Sequence, residues 1–153
     1  MAGRGDIMAQ FDRAKVGDDR FLPQIGTLSG NPVASVAGLA TLGILKRQGT
    51  YAKVFATGRT LMQGLAKAVR DAGLPGQVIG EPVLFDVFFA SGELADYRAT
   101  LRVDGEMMRR FNRGLRENGV LKGDAKIYVS LAHDDRDVRQ ALDAFTAAAN
   151  AAG

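Results

Sequence analysis

Residues 78–92, VIGEPVLFDVFFASG, decide the fold class of this chain. Their β-branched and aromatic side chains predict one or two β-strands. In VLFDVFFA, residues 83–90, the alternation of apolar and polar residues is incomplete, so we expect both faces of this strand to be covered for part of its length. The middle of the chain is therefore predicted to form a sheet.

Helical periodicity lies on both sides of this segment. Thr50 is predicted to cap a long helix, which ends near Gly73 and Pro75 because these residues do not continue a helix. A second helix is predicted from Asp104 to Asn118-Gly119. The apolar residues that recur every three or four positions are, in these two helices, Tyr51, Val54, Phe55, Leu61, Leu65 and Val69, then Met107, Met108, Phe111 and Leu115.

Two further strands and a last helix follow. The strands are predicted in VL, residues 120–121, and in AKIYVSLAH, residues 125–133. Asp134 or Asp135 is predicted to cap the last helix, whose inward residues are Val138, Leu142 and Phe145. The order from residue 50 onward is helix, strands, helix, strands, helix. This order predicts an α+β fold in which helices cover a small, mostly antiparallel sheet.

The N-terminal part of the chain lacks a sheet of its own. Residues 1–31 have no sustained period and are predicted to be mostly loop, with a short helical turn around residues 6–12. Asn31 followed by Pro32 predicts a helix start, and Gly49 predicts its end. The apolar stripe of this helix is predicted to contain Val33, Val36, Ala37, Ala40, Ile44 and Leu45. We therefore expect a division into residues 1–48 and 49–153, with the first part resting on the second or on a partner.

Composition excludes several classes of function. The 153 residues include 46% hydrophobic and 24% charged residues, as in a soluble globular protein. No apolar run is long enough for a bilayer, and the charged N-terminus does not resemble a secretory signal, so a cytoplasmic location is expected. Without cysteine, and with one histidine, the chain offers no disulfide, no thiolate ligand and little for a metal site. Its basic residues alternate with acids and are not interleaved with aromatic residues, so nucleic-acid binding is not expected.

The stretch GTLSGNPVASVAGLATL, residues 26–42, has two interpretations. A tight turn with an N-cap explains Gly30, Asn31 and Pro32. It does not explain Gly26-Thr27-Leu28-Ser29, where a bare backbone and two hydroxyls lie just before a helix. Free amides, a hydroxyl and a helix dipole are the components of a phosphate site. The residues alone leave both interpretations open.

This stretch resembles a segment of the class III aminotransferases, particularly the branch that contains glutamate-1-semialdehyde aminomutase. A distant segment, KIYVSLAHDDRDVRQALDAF at residues 126–145, resembles that branch's last strand and final helix, and GRGDIM at residues 3–8 resembles the segment before the first match. The resemblance implies a dimeric pyridoxal 5'-phosphate enzyme of fold type I. In it, Gly26 and Thr27 would bind the phosphate of the other subunit's cofactor.

The resemblance also implies that part of the enzyme is missing. Residues 1–48 would be the end of the large domain, and residues 49–153 the small C-terminal domain. Transamination needs a Schiff-base lysine and a carboxylate on the pyridine nitrogen, which in this family lie upstream. Solvated surface positions are expected for all the lysines present, and Lys126 is the least readily dismissed. The others are Lys15, Lys46, Lys53, Lys67 and Lys122.

No catalytic residue is therefore assigned, and the isolated chain is expected to be inactive. His133 matches the histidine of the family's SLAH motif, and a structural hydrogen bond is favoured over acid–base chemistry. Many class III members carry an arginine near the last strand that binds a substrate carboxylate. This chain has no arginine there, which agrees with the aminomutase-like branch. Two functions remain: part of an enzyme that transfers an amino group to a carbonyl carbon, or a non-catalytic module that pairs through the apolar face of residues 33–45.

Overall fold

The structure is a computed structural model that describes residues 3–23, 26, 30–123 and 126–153. The chain separates into two compact units, Met1–Ile44 and Leu45–Gly153. No described helix has both the length and the apolar character needed to cross a membrane.

The first unit contains short helical turns and one longer helix. Its elements are α1 (Gly5–Met8), a 3-10 turn (Ala9–Phe11), α2 (Arg13–Val16) and α3 (Pro32–Leu45). The first two confirm the predicted turn around residues 6–12. Asp12 begins α2 because its side chain accepts a hydrogen bond from the Ala14 N–H at 3.1 Å.

Helix α3 begins at Pro32, as predicted, but it has no buried residue. Apolar side chains lie all round it, so the predicted stripe is not a distinct face. Leu39 and Leu42, which were not assigned to the stripe, are as apolar and exposed as Val33 and Val36. A helix that is apolar on every side is normally covered by other protein.

The second unit contains helices on a small sheet, which confirms the predicted α+β class. Its elements are α4 (Thr50–Asp71), β1 (Gly76–Glu81), β2 (Leu84–Phe89), α5 (Tyr97–Thr100), α6 (Gly105–Glu117), β3 (Ile127–Tyr128) and α7 (Asp135–Ala152). The described strands form one antiparallel sheet in the order β1-β2-β3. β1 and β2 pair from Gly76↔Phe89 to Glu81↔Leu84, so the central segment of the sequence is a tight hairpin.

The core lies between this sheet and helices α4, α6 and α7. Phe85, Val87 and Phe89 of β2 are almost completely buried on the helix side. The rings of Phe89 and Phe111 meet edge to face, with centroids 5.5 Å apart. The largest fully buried side chains are Phe85, Phe89, Phe111, Phe145, Leu65, Leu115, Val69 and Val87.

Glycines allow close approach at two packing contacts. A Cβ atom on Gly58 of α4 would lie 1.7 Å from the Pro82 carbonyl oxygen in the hairpin turn. A Cβ on Gly114 of α6 would lie 2.8 Å from the Ala148 Cα of α7. Each contact brings the backbones of two elements together without an intervening side chain.

Three local predictions were wrong. Thr50 is the first residue of α4 and not its cap; Gly49, with φ of 81°, occupies the cap position. Residues 120–121 are not a strand, because the Val120 N–H donates to the Leu115 carbonyl at 2.9 Å and closes the end of α6. The strand predicted over 125–133 is limited to Ile127–Tyr128 in the part described.

The short β3 has a local cause. The Ala132 N–H donates to Ser130 Oγ at 3.2 Å, and the His133 N–H donates to the Ser130 carbonyl at 3.4 Å. These bonds form a turn that competes with strand pairing. The Asp134 side chain then caps α7 in a capping box with Asp137, which confirms one of the two predicted caps.

Candidate functional site

The predicted phosphate site is only partly within the described residues. Gly26 is exposed and lies outside any helix or strand. Thr27 lies outside the described residues. The assignment of these two residues to a phosphate therefore stays a prediction.

The amides at the start of α3 are already engaged. Asn31 Oδ1 accepts hydrogen bonds from the N–H groups of Val33 at 2.9 Å and Ala34 at 3.2 Å. Pro32 has no N–H, and the Ser35 N–H donates to the Asn31 carbonyl at 2.9 Å. Gly30 precedes this cap with φ of 76°, which glycine adopts without strain. The N–H groups of Val33, Ala34 and Ser35 are therefore already bonded and are not available to an anion.

Five of the six lysines are on the surface, as predicted. Lys15 pairs with Asp12 at 3.4 Å, and Lys67 pairs with Asp71, both in exposed positions. Such pairs contribute little to stability. The remaining exposed lysines are Lys46, Lys53 and Lys126.

Lys122 contradicts the expectation of a solvated side chain. Its side chain is 4% exposed, and its Nζ donates to Asp86 Oδ2 at 2.7 Å, where the carboxylate side chain is 3% exposed. Nζ also donates to the Gly123 carbonyl at 3.0 Å. The other carboxylate oxygen, Asp86 Oδ1, accepts from the Val87 N–H at 2.8 Å.

Burial raises the pKa of Asp86 above its usual value, because a charged carboxylate loses hydration there; the hydrogen bond and the charge of Lys122 lower the pKa by less. The sequence carried a signal for this pair. An aspartate in the middle of the apolar run VLFDVFF needs a partner if the strand is covered on both faces.

A cavity of about 420 Å³ lies beside the connection between α6 and β3, which carries Lys122. Its apolar floor includes Leu61, Leu115 and Phe145, which are nearly fully buried. Lys126 and His133 also line it. His133 Nδ1 accepts a hydrogen bond from the Ser130 N–H at 3.2 Å, which agrees with the structural role predicted for this histidine.

No protein-family model matches the chain. Its relatives include two enzymes named glutamate-1-semialdehyde 2,1-aminomutase. The one from Desulfosudis oleivorans is 37% identical over 124 residues, which are 79% of this chain and 29% of that enzyme. The one from Thermus thermophilus is 36% identical over 147 residues, which are 94% of this chain and 34% of that enzyme. The chain is similar to the C-terminal part of a glutamate-1-semialdehyde 2,1-aminomutase.

Solved structures agree with this similarity to the aminomutases. An omega-transaminase from Sphaerobacter thermophilus matches 99% of the chain with a TM-score of 0.75 at 29% identity. A transaminase with PLP bound matches 99% of the chain with a TM-score of 0.69 at 26% identity. The chain spans about a third of the length of each of these proteins, as it does for the aminomutases.

Proposed function

We propose that this chain is the C-terminal part of a pyridoxal-phosphate-dependent aminomutase or aminotransferase, which transfers an amino group to a carbonyl carbon. The observation that carries the proposal is the similarity to aminomutases over 94% of the chain in one case. The fold shared with an omega-transaminase over 99% of the chain supports it independently. The complete enzyme would act on a small amino acid and a keto or aldehyde compound.

Gly26 and Thr27 would hold the phosphate of the cofactor. When bound, pyridoxal phosphate supplies an electron sink for the carbon that carries the amino group. The exposed backbone of Gly26 suits this role, because no Cβ hinders the approach of an anion to its N–H. The Thr27 hydroxyl would add a second donor. Since the upstream part would anchor the cofactor, the two donors would act across the interface of a homodimer.

The proposed domain division follows from the same assignment. Residues 1–48 would be the end of the large domain, and residues 49–153 the small C-terminal domain, in a cytoplasmic enzyme. The separation of the chain into units at residues 44 and 45 supports this division. The exposed apolar surface of α3 supports it too, because a helix that is apolar on every side is normally covered by other protein.

The same exposed helix supports a second candidate from another class. A non-catalytic module that pairs through residues 33–45 would also need an apolar α3. The two candidates differ in whether the chain contributes to a cofactor site.

A chimera tests the enzyme proposal. The C-terminal third of the Thermus thermophilus aminomutase is replaced by this chain, and retained pyridoxal phosphate and aminomutase activity are measured. We expect both to be present. In the chimera, Thr27→Val should raise the dissociation constant for pyridoxal phosphate about tenfold or more, because a hydrogen bond to a charged group is lost.

Thr41→Val is the matched control. Thr41 Oγ1 donates to the Ala37 carbonyl at 2.9 Å within α3, so its loss should leave cofactor affinity unchanged. Equal affinity in the Thr27→Val chimera and its parent would reject the phosphate role but leave the enzyme assignment intact. A folded chimera that retains no cofactor and has no activity would favour the non-catalytic module.

A further inference from the structure

The buried pair Asp86–Lys122 lies on the side of the sheet away from the main core. Phe85 and Val87, the neighbours of Asp86 in β2, point into the helix-covered core and are 2% and 0% exposed. Because successive side chains of a strand point to opposite faces, Asp86 points the other way. Lys122 reaches it from the connection between α6 and β3, 36 residues away in the sequence.

Stability alone does not account for this pair. Burial of two charges costs free energy that their attraction repays only in part. The pKa of Asp86 is raised despite the adjacent ammonium, so loss of hydration outweighs the attraction at this carboxylate. Apolar side chains of similar volume commonly serve as well as a buried ion pair. What they lack is a directional bond to one partner.

Among the described residues, backbone contacts hold both ends of the connection that carries Lys122: the Val120 N–H donates to the Leu115 carbonyl at 2.9 Å, and Gly123 forms an isolated bridge with Lys126. Leu121 is 85% exposed, so it does not anchor the segment by burial.

In the part of the chain that the structure describes, β3 pairs with β2 at Leu84↔Tyr128 and Phe85↔Ile127, next to a bond from the Val129 N–H to the Val83 carbonyl at 3.1 Å. Burial of Ile127 and Val129 fixes which face of β3 points to the core, because a slip of one residue would expose both. A slip of two residues would keep that face, and only these few hydrogen bonds between described residues oppose it.

We propose that the Asp86–Lys122 pair is a positioning device that fixes the α6–β3 connection against β2 and thereby sets the register of β3. The same connection, through residues such as Val120 and Gly123, forms one wall of the 420 Å³ cavity. The pair therefore also fixes the shape of that cavity. Its role is to select one arrangement of the segment, and the free energy of folding comes from the core on the other face.

Amide hydrogen exchange on the whole 153-residue chain tests this role. The double variant Asp86→Leu/Lys122→Met replaces the ion pair with apolar side chains. We expect its urea unfolding midpoint to equal or exceed that of the unchanged chain. We also expect the Val129 amide to exchange about tenfold faster or more, since its bond opens locally, while amides of the β1–β2 hairpin keep their rates.

The matched control is Lys67→Met/Asp71→Leu, which removes an exposed ion pair from α4. It should leave the exchange of the Val129 amide unchanged. The proposal is overturned if the Asp86→Leu/Lys122→Met chain keeps both its urea midpoint and the protection of its Val129 amide, because the pair then does not set the register of β3. A large drop in the midpoint, or failure to fold, also overturns it, because the pair then acts as a general stabiliser.

Discussion

At the scale of single residues, Asp86 is a charged group in the middle of the apolar strand β2 and is buried there. Three apolar residues on either side of it predict burial, yet its charge requires a partner that only the folded chain brings close. Lys122 is that partner, and the Val87 N–H is the second. The pKa of this carboxyl is consequently governed by burial, opposed by one ammonium group.

The raised pKa of Asp86 predicts a pH dependence with a definite sign. The folded chain keeps a proton on Asp86 to higher pH than the unfolded chain does. The contribution of this residue to stability is therefore full below its usual pKa of 3.8 and is lost as the pH rises through the folded value. The free energy of unfolding of the unchanged chain, relative to Asp86→Asn, should fall as the pH rises from about 3 to about 7.

Urea unfolding of both proteins across this range gives the measurement. Carboxyls whose pKa is lowered by exposed partners, such as Asp71 beside Lys67, respond alike in both proteins and cancel in the difference. A difference that grows with pH would show that the attraction of Lys122 outweighs burial and would contradict the prediction.

At the scale of elements, helices α6 and α7 form the most extensive contact in the second unit, and small residues set their distance. Gly114 of α6 lies against Ala148 of α7, which is fully buried. An aspartate side chain caps the start of each of these two helices. Asp104 caps α6 by accepting from the Glu106 and Met107 N–H groups, both at 2.9 Å.

Gly114→Ala should destabilise the second unit by about 1–3 kcal/mol, because the added methyl forces two packed backbones apart. The new Cβ would lie 2.8 Å from Ala148 Cα and 3.0 Å from Ala148 Cβ. Urea unfolding followed by circular dichroism gives the value. Gly105→Ala is the control in the same helix, since its nearest new contact is the Arg109 side chain at 3.7 Å. Gly105→Ala should stabilise the chain by about 0.4–1 kcal/mol, because alanine lowers the conformational entropy of the unfolded chain. Equal losses of stability in the two variants would reject the packing argument.

At the scale of the whole molecule, the two units differ in how far their apolar residues are buried. The second unit has a core of buried aromatic and aliphatic side chains. In the first unit, α3 leaves its apolar side chains exposed, with Val33 at 78% and Leu39 at 69%. The chain also spans about a third of the length of its relatives. These two observations agree with the proposed assignment of α3 to the end of a large domain.

The exposed helix predicts that the isolated chain self-associates. Light scattering after size exclusion should show dimers or larger species, and Val36→Glu/Leu39→Glu should shift them toward the monomer, because a charged residue does not enter an apolar contact without cost. Leu121→Glu is the control, since Leu121 is exposed but lies in the second unit. A chain that is monomeric at every concentration would contradict the prediction and weaken the assignment of α3 to an interface.

The sequence by itself determined the elements whose signals are local. Asn31-Pro32 and Asp104 start helices through short-range hydrogen bonds, Gly73 ends one, and the apolar content of residues 84–89 forms a strand. These features need only residues within a few positions of each other. The resemblance to the aminomutase family was likewise visible in the sequence of two separate segments, residues 26–42 and 126–145.

Tertiary structure alone decided the partner of Lys122 and the tight contact at Gly114. Both depend on groups far apart in the chain, because Asp86 lies in β2 and Ala148 belongs to another helix. Periodicity records which residues are apolar. It does not record which distant group a buried charge will meet, because that distance is fixed only when the sheet and helices pack.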